Sequence, residues 1–85
     1  MKIFKEIEYK GKKIIIRQVT KTIFDYLFAF DERVYSAHIT VKPKLYRYFL
    51  KESFTKNEIK SIVIYLKSAA ETTIDYLNNE RTKRN

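Results

Sequence analysis

Cysteine and tryptophan are absent from this 85-residue chain, and glycine, proline, histidine and methionine each occur once. Without cysteine there is no disulfide framework and no thiolate metal site, and a single histidine cannot complete a zinc site. Phosphate-cradling loops are excluded as well, because they need several glycines for close backbone approach. A small chain without disulfides suits a reducing compartment, so we expect a cytoplasmic location.

Aromatic and aliphatic residues are plentiful instead. Hydrophobic residues make up 45% of the chain and include six Phe and seven Tyr, which is the composition of a folded domain. The length suits one domain over residues 1–85, with a basic tail at residues 81–85 that we expect to fray. The N-terminal residues are charged and the apolar runs are short, so we expect neither secretion nor membrane insertion.

The charge balance is the strongest functional signal. Lys and Arg number 18 against 10 Asp and Glu, which gives a formal net charge of +8. The positive electrostatic field of such a chain favours an acidic partner, either nucleic acid or an acidic protein surface. Peripheral binding to an anionic membrane is disfavoured, because the basic residues do not line one face of an amphipathic helix.

The first segment, from Lys2 to Val19, has the pattern of a β-hairpin. Lys10-Gly11 is the only glycine-containing turn signal and lies between two Ile-rich stretches. With these two residues as the loop, Ile7 faces Ile14 on one side of the ladder. The same register places Phe4 opposite Arg17 on the charged side.

Residues 20–42 allow two interpretations. A helix is possible, but β-branched and aromatic residues dominate, and these suit a pleated surface better. As a second hairpin turning at Asp31-Glu32, the segment pairs Phe24 with Ile39, so that the apolar faces of both strands coincide. We favour the hairpin, although the choice between strand and helix over residues 20–31 stays open.

Two helices are predicted to follow. Pro43 ends the fourth strand, and a short amphipathic helix is expected over residues 44–51. Thr55 and Glu58 then fit a capping box, and apolar residues recur every three or four positions to about Asn78.

The predicted fold is therefore α+β: a four-stranded antiparallel meander, then a short helix and a long C-terminal helix packed on one sheet face. The alternative is a β-hairpin, a helix, a third strand and two helices. A meander followed by a helix resembles, in topology alone, the sheet-plus-helix arrangement of Whirly-type single-strand binders, a resemblance that by itself implies no function.

No enzymatic motif is evident. In the predicted second hairpin Asp25 faces His38, with Ser36 two residues away, which supplies acid, base and nucleophile types. A single histidine on a small sheet is more often a surface residue or a satisfied hydrogen-bond partner. We therefore expect no catalytic residue, no metal and no cofactor.

Basic residues form two sequence clusters that contain interleaved tyrosines. Nucleic-acid binders combine cations that displace phosphate counterions with flat side chains on which unpaired bases stack. The expected function is thus non-enzymatic binding of nucleic acid, single-stranded rather than duplex because no helix has a dense basic face. The competing interpretation is an ordinary solvated lysine surface. The candidate residues are Lys10, Lys12, Lys13, Arg17, Lys42, Lys44, Arg47 and Lys51, with Tyr9, Tyr46 and Tyr48.

The alternative is a protein-interaction module, a regulator or inhibitor that docks on an acidic protein or on a copy of itself. Several large apolar residues fall outside the predicted core faces and would form an exposed patch. They are Phe4, Ile15, Ile64, Tyr65 and Tyr76.

Overall fold

The computed structural model describes residues 1–42 and 54–83. Four strands form one antiparallel sheet in the order β1-β2-β3-β4, and a long helix, α1, follows. The strands are β1 (Lys2–Tyr9), β2 (Lys12–Gln18), β3 (Ile23–Phe30) and β4 (Arg33–Thr40), and the helix is α1 (Lys56–Lys83). The protein is therefore α+β with an antiparallel meander, and residues 20–31 contribute a strand. The predicted short helix over residues 44–51 lies outside the described residues.

Both hairpins close through two-residue turns whose central residues have positive φ. The angles are 50° at Lys10 and 78° at Gly11, and 50° at Asp31 and 65° at Glu32. Positive φ at both central residues is the arrangement that matches the right-handed twist of the flanking strands. The predicted pairs Ile7 with Ile14, and Phe24 with Ile39, are confirmed.

The start of β1 departs from the predicted register. A bulge between Ile3 and Lys5 places Ile3, not Phe4, opposite Arg17. Phe4 is the extra residue of this bulge and has no partner in β2. Its ring lies on the apolar side, stacked on Phe24 with ring centroids 5.8 Å apart. The prediction that Phe4 lies on the charged face of the hairpin was therefore wrong.

Side chains from one face of the sheet and one stripe of α1 form the core. Ile14, Ile16, Phe24 and Phe28 of the sheet are buried together with Ile62, Leu66, Ala70 and Ile74 of the helix. The Tyr26 hydroxyl also reaches the Thr73 hydroxyl at 3.1 Å. The helix contacts β1, β2 and β3, so β4 lies at the less covered side of the sheet.

The N-terminus of α1 has the predicted capping box. The Thr55 hydroxyl accepts a hydrogen bond from the Glu58 amide at 3.1 Å, and the Thr55 amide donates to the Glu58 carboxylate at 3.0 Å. The helix continues to Lys83, beyond the predicted end at Asn78, and Arg81 forms an ion pair with Asp31 at 3.3 Å. No helix of the described residues is long and apolar enough to cross a membrane.

Candidate functional site

The four predicted cations of the first hairpin do not form one surface. Lys13 pairs with Glu6 at 3.6 Å on the sheet face opposite α1, whereas the Lys12 ammonium lies 4.5 Å from the centroid of the Phe30 ring. Lys10 pairs with Asp75 at 2.6 Å, and Arg17 pairs with Asp25 at 2.6 Å. Three of these charges are thus partly neutralised by carboxylates.

Tyr9 and Lys10 join the β1–β2 turn to the helix. The Tyr9 hydroxyl donates to both carboxylate oxygens of Asp75, at 3.1 and 3.0 Å, and the Lys10 ammonium donates to one of them. The hydrogen bond from Lys10, followed by that from Tyr9, lowers the pKa of Asp75. The same carboxylate raises the pKa values of Tyr9 and Lys10. These two residues therefore have a structural partner within the protein.

Asp25 is likewise engaged. Its two carboxylate oxygens accept hydrogen bonds from Arg17 Nε at 2.9 Å and Nη2 at 2.6 Å, and the carboxylate raises the pKa of the Arg17 guanidinium. Asp25 is opposite His38 in the β3–β4 register, as predicted. Because both oxygens face Arg17, the carboxylate is already occupied and is poorly placed to orient His38 as a base. Among the described residues, no group of three or more acidic or imidazole side chains could hold a metal ion.

Of the second predicted cluster, the structure describes only Lys42, which is exposed just beyond β4. The other members, Lys44, Arg47, Lys51, Tyr46 and Tyr48, lie outside the described residues. Of the residues predicted to form an exposed patch, Ile64, Tyr65 and Tyr76 are 57%, 59% and 61% exposed on α1. Ile15 is half-buried on the sheet face opposite the helix, whereas Phe4 belongs to the helix side.

A different set of lysines lies along the side of the molecule formed by β1 and the first half of α1. Lys2 and Lys5 belong to β1. The Lys2 ammonium is 5.0 Å from the Phe4 ring centroid, and Lys5 is opposite Ile16, a residue buried beneath the helix. Paired residues of antiparallel strands point to the same face, so Lys5 projects on the helix side.

Lys56, Lys60 and Lys67 occupy the matching side of α1. At about 100° per residue their positions fall within an arc of about 40° on the helix. Lys67, Glu71 and Asp75 then follow one another at four-residue intervals along this side. Since Asp75 reaches Tyr9 and Lys10 at the far end of β1, the row of lysines faces the β1 edge.

We call Lys2, Lys5, Lys56, Lys60 and Lys67 the lysine flank. All five are exposed, and within the described residues none lies within 4 Å of a carboxylate. The acidic residues of β1, Glu6 and Glu8, are opposite Ile15 and Lys13, on the other face of the sheet. On α1, Glu71 and Asp75 continue the same side of the helix beyond Lys67, so carboxylates border the flank at that end.

Sequence reasoning did not find the lysine flank. The seven-residue spacing of Lys60 and Lys67 was visible, but their location on the same side of the molecule as Lys2 and Lys5 depends on which side of the helix faces β1. Comparisons with protein-family models, with curated proteins and with solved structures find no match to this chain.

Proposed function

We propose that this protein is a small non-enzymatic nucleic-acid-binding protein whose contact surface is the lysine flank. The observation that supports the proposal is the arrangement of five exposed lysines on one side of the molecule, none of which lies within 4 Å of a carboxylate of the described residues. Phosphate groups along a strand would displace counterions from such a surface, and the overall charge of +8 would assist their approach.

Single strands fit this surface better than duplex. Phe4 and Tyr9 lie on the same side of β1 as the flank and are only partly buried, and an unpaired base that displaced the Lys2 or Lys10 ammonium group would stack on the ring beneath it. A duplex reader would need a helix free to enter the major groove, whereas α1 is held against the sheet by its buried stripe.

The test compares two double variants with the same change in net charge. Lys5→Gln/Lys60→Gln removes one cation from each element of the flank, and Lys13→Gln/Lys83→Gln removes two exposed cations elsewhere. Binding of a labelled single-stranded oligonucleotide is followed by fluorescence anisotropy as a function of salt. With about 0.7 counterions released per phosphate contact on single strands, the flank variant should reduce the log–log salt slope by about 1.4. The control variant should leave the slope nearly unchanged.

Two results would contradict the proposal. One is failure of the unmodified protein to bind single strands, duplex DNA or RNA at low salt. The other is an equal loss in both variants, since that would reflect net charge alone. If an acidic polypeptide displaces the oligonucleotide fully at equal charge concentration, the protein-interaction alternative is favoured instead.

A further inference from the structure

The two outer strands of the sheet differ in how they are protected against pairing with another chain. β1 carries Lys2, Lys5, Glu6 and Glu8 and is interrupted by a bulge. Charged side chains and bulges are the usual means by which an edge strand is kept from adding a further strand. β4 has neither feature: its eight residues are paired to β3 without a register shift, and Arg33, at its first position, is its only Lys, Arg, Asp or Glu.

We propose that β4 pairs antiparallel with β4 of a second copy of this chain, forming a continuous sheet across a two-fold axis. Within the described residues, the outer edge of β4 has no strand beside it. In a two-residue hairpin that closes at Phe30 and Arg33, alternate residues bond to β3. The backbone groups of Val34, Ser36, His38 and Thr40 therefore point away from the sheet and are available to a partner.

The sequence of β4 is complementary to itself in one register. With Ala37 on the two-fold axis, Ala37 meets the same residue of the second copy, Tyr35 meets Ile39, and Ser36 meets His38. Each residue thus pairs with one from the same face, as the pleat requires. Val34 then meets Thr40, and no pair within the strand places two charged Lys, Arg, Asp or Glu side chains opposite each other.

This pairing also covers apolar surface that the helix leaves accessible. Tyr35 and Ile39 lie on the helix side of β4 but are only half-buried, because α1 packs over the other three strands. Tyr76, 61% exposed, lines a groove with Tyr35 and Phe30 on this side. A two-fold axis perpendicular to the sheet would place Ile39 of the second copy beside Tyr35. Such an isologous contact is the commonest way in which soluble chains form dimers.

Single cysteines provide a sharp test, because the chain has no cysteine of its own. In the proposed register residue 37 meets itself in a non-hydrogen-bonded pair, where Cα atoms are about 4.5 Å apart, within the range that a disulfide spans. Ala37→Cys should therefore form a covalent dimer under mild oxidation. Ala29→Cys, an exposed position on the neighbouring strand β3, is the matched control and should remain a monomer.

Light scattering of the unmodified protein completes the experiment. The expected mass is twice the chain mass of 10.3 kDa, and Ala37→Lys, which sets two ammonium groups opposite each other, should return it to the monomer mass. Ala29→Lys should leave the dimer intact. The proposal is overturned if the unmodified protein is monomeric at high micromolar concentration. It is also overturned if Ala29→Cys crosslinks as readily as Ala37→Cys, or if Ser36→Cys crosslinks in place of Ala37→Cys. Because the lysine flank lies on the opposite edge, loss of the dimer would not itself remove oligonucleotide binding.

Discussion

Arg17 and Asp25 form a two-pronged ion pair across β2 and β3, on the sheet face that α1 does not cover. Their side chains are only 25% and 10% exposed, and both carboxylate oxygens accept from the guanidinium. Neighbours in the ladder account for this burial, since the next pair along is Ile15 with Leu27 and the next strand places His38 beside Asp25. A charge this shielded is costly to leave without its partner.

Removing the carboxylate should therefore destabilise the fold strongly. Breaking a buried ion pair typically costs about 3–5 kcal/mol, and the partial exposure of Arg17 reduces the expectation for Asp25→Ala to about 2–3 kcal/mol. Urea unfolding followed by circular dichroism measures the change. Glu6→Ala, which breaks the exposed pair with Lys13, is the control and should cost less than about 1 kcal/mol.

The double variant Arg17→Met/Asp25→Leu separates a lost interaction from an uncompensated charge. Replacing both partners by apolar residues of similar size should be less destabilising than Asp25→Ala alone, because no unpaired guanidinium remains on the sheet. A double variant that is as unstable as the sum of the two single variants would contradict this account.

The contacts of Asp75 predict a pH-dependent contribution to stability. Its folded-state pKa is lowered, chiefly by the hydrogen bond from Lys10, so its contribution is present above the ordinary carboxyl value of 3.8 and is lost as the pH falls through the folded value. The pKa values of Lys10 and Tyr9 are raised, chiefly by their hydrogen bonds to Asp75. Their contributions are present below the ordinary values of 10.5 and 10.0 and are lost as the pH rises through the folded values.

Thermal unfolding of Asp75→Asn against the unmodified protein tests this prediction. The difference in Tm should be constant near neutral pH and should shrink in the acid and alkaline ranges. Glu80→Gln, whose contact with Lys83 is 3.9 Å long, should show little difference at any pH. A Tm difference for Asp75→Asn that persists below the carboxyl range would show that the carboxylate charge is not its source.

The sequence predicted the antiparallel meander because the turn residues and the alternation of apolar and polar residues pointed to the same register in both hairpins. It missed the bulge at the start of β1, since the shift that carries Phe4 to the apolar side is produced by stacking on Phe24, a contact between residues 20 positions apart. The prediction that the cations of the first hairpin form one binding surface was wrong for a related reason. Lys10, Lys12 and Lys13 lie within four residues of sequence, but they have different surroundings in the fold. Lys12 and Lys13 alternate between the two faces of the sheet, and Lys10 pairs with Asp75 of the helix.

The two hairpin turns offer a direct comparison of residue choice at positive φ. Gly11 tolerates its φ of 78° without strain, whereas Glu32, at 65°, brings its Cβ close to the backbone. Glu32→Gly should therefore stabilise the protein by about 0.5–1 kcal/mol, after subtraction of the greater chain entropy that glycine gives the unfolded state. Gly11→Ala should destabilise by about 1 kcal/mol, and by strain alone, because no heavy atom outside its immediate neighbours lies within 4 Å of the added Cβ.

Urea unfolding of both variants, with Glu32→Ala as the control, distinguishes backbone strain from charge. Glu32→Ala removes the carboxylate but keeps a Cβ at positive φ, so its free energy of unfolding should remain close to that of the unmodified protein. If Glu32→Ala stabilises as much as Glu32→Gly, the gain comes from the lost carboxylate and not from the relief of strain. If neither changes stability, the turn does not hold Glu32 in the left-handed conformation in solution.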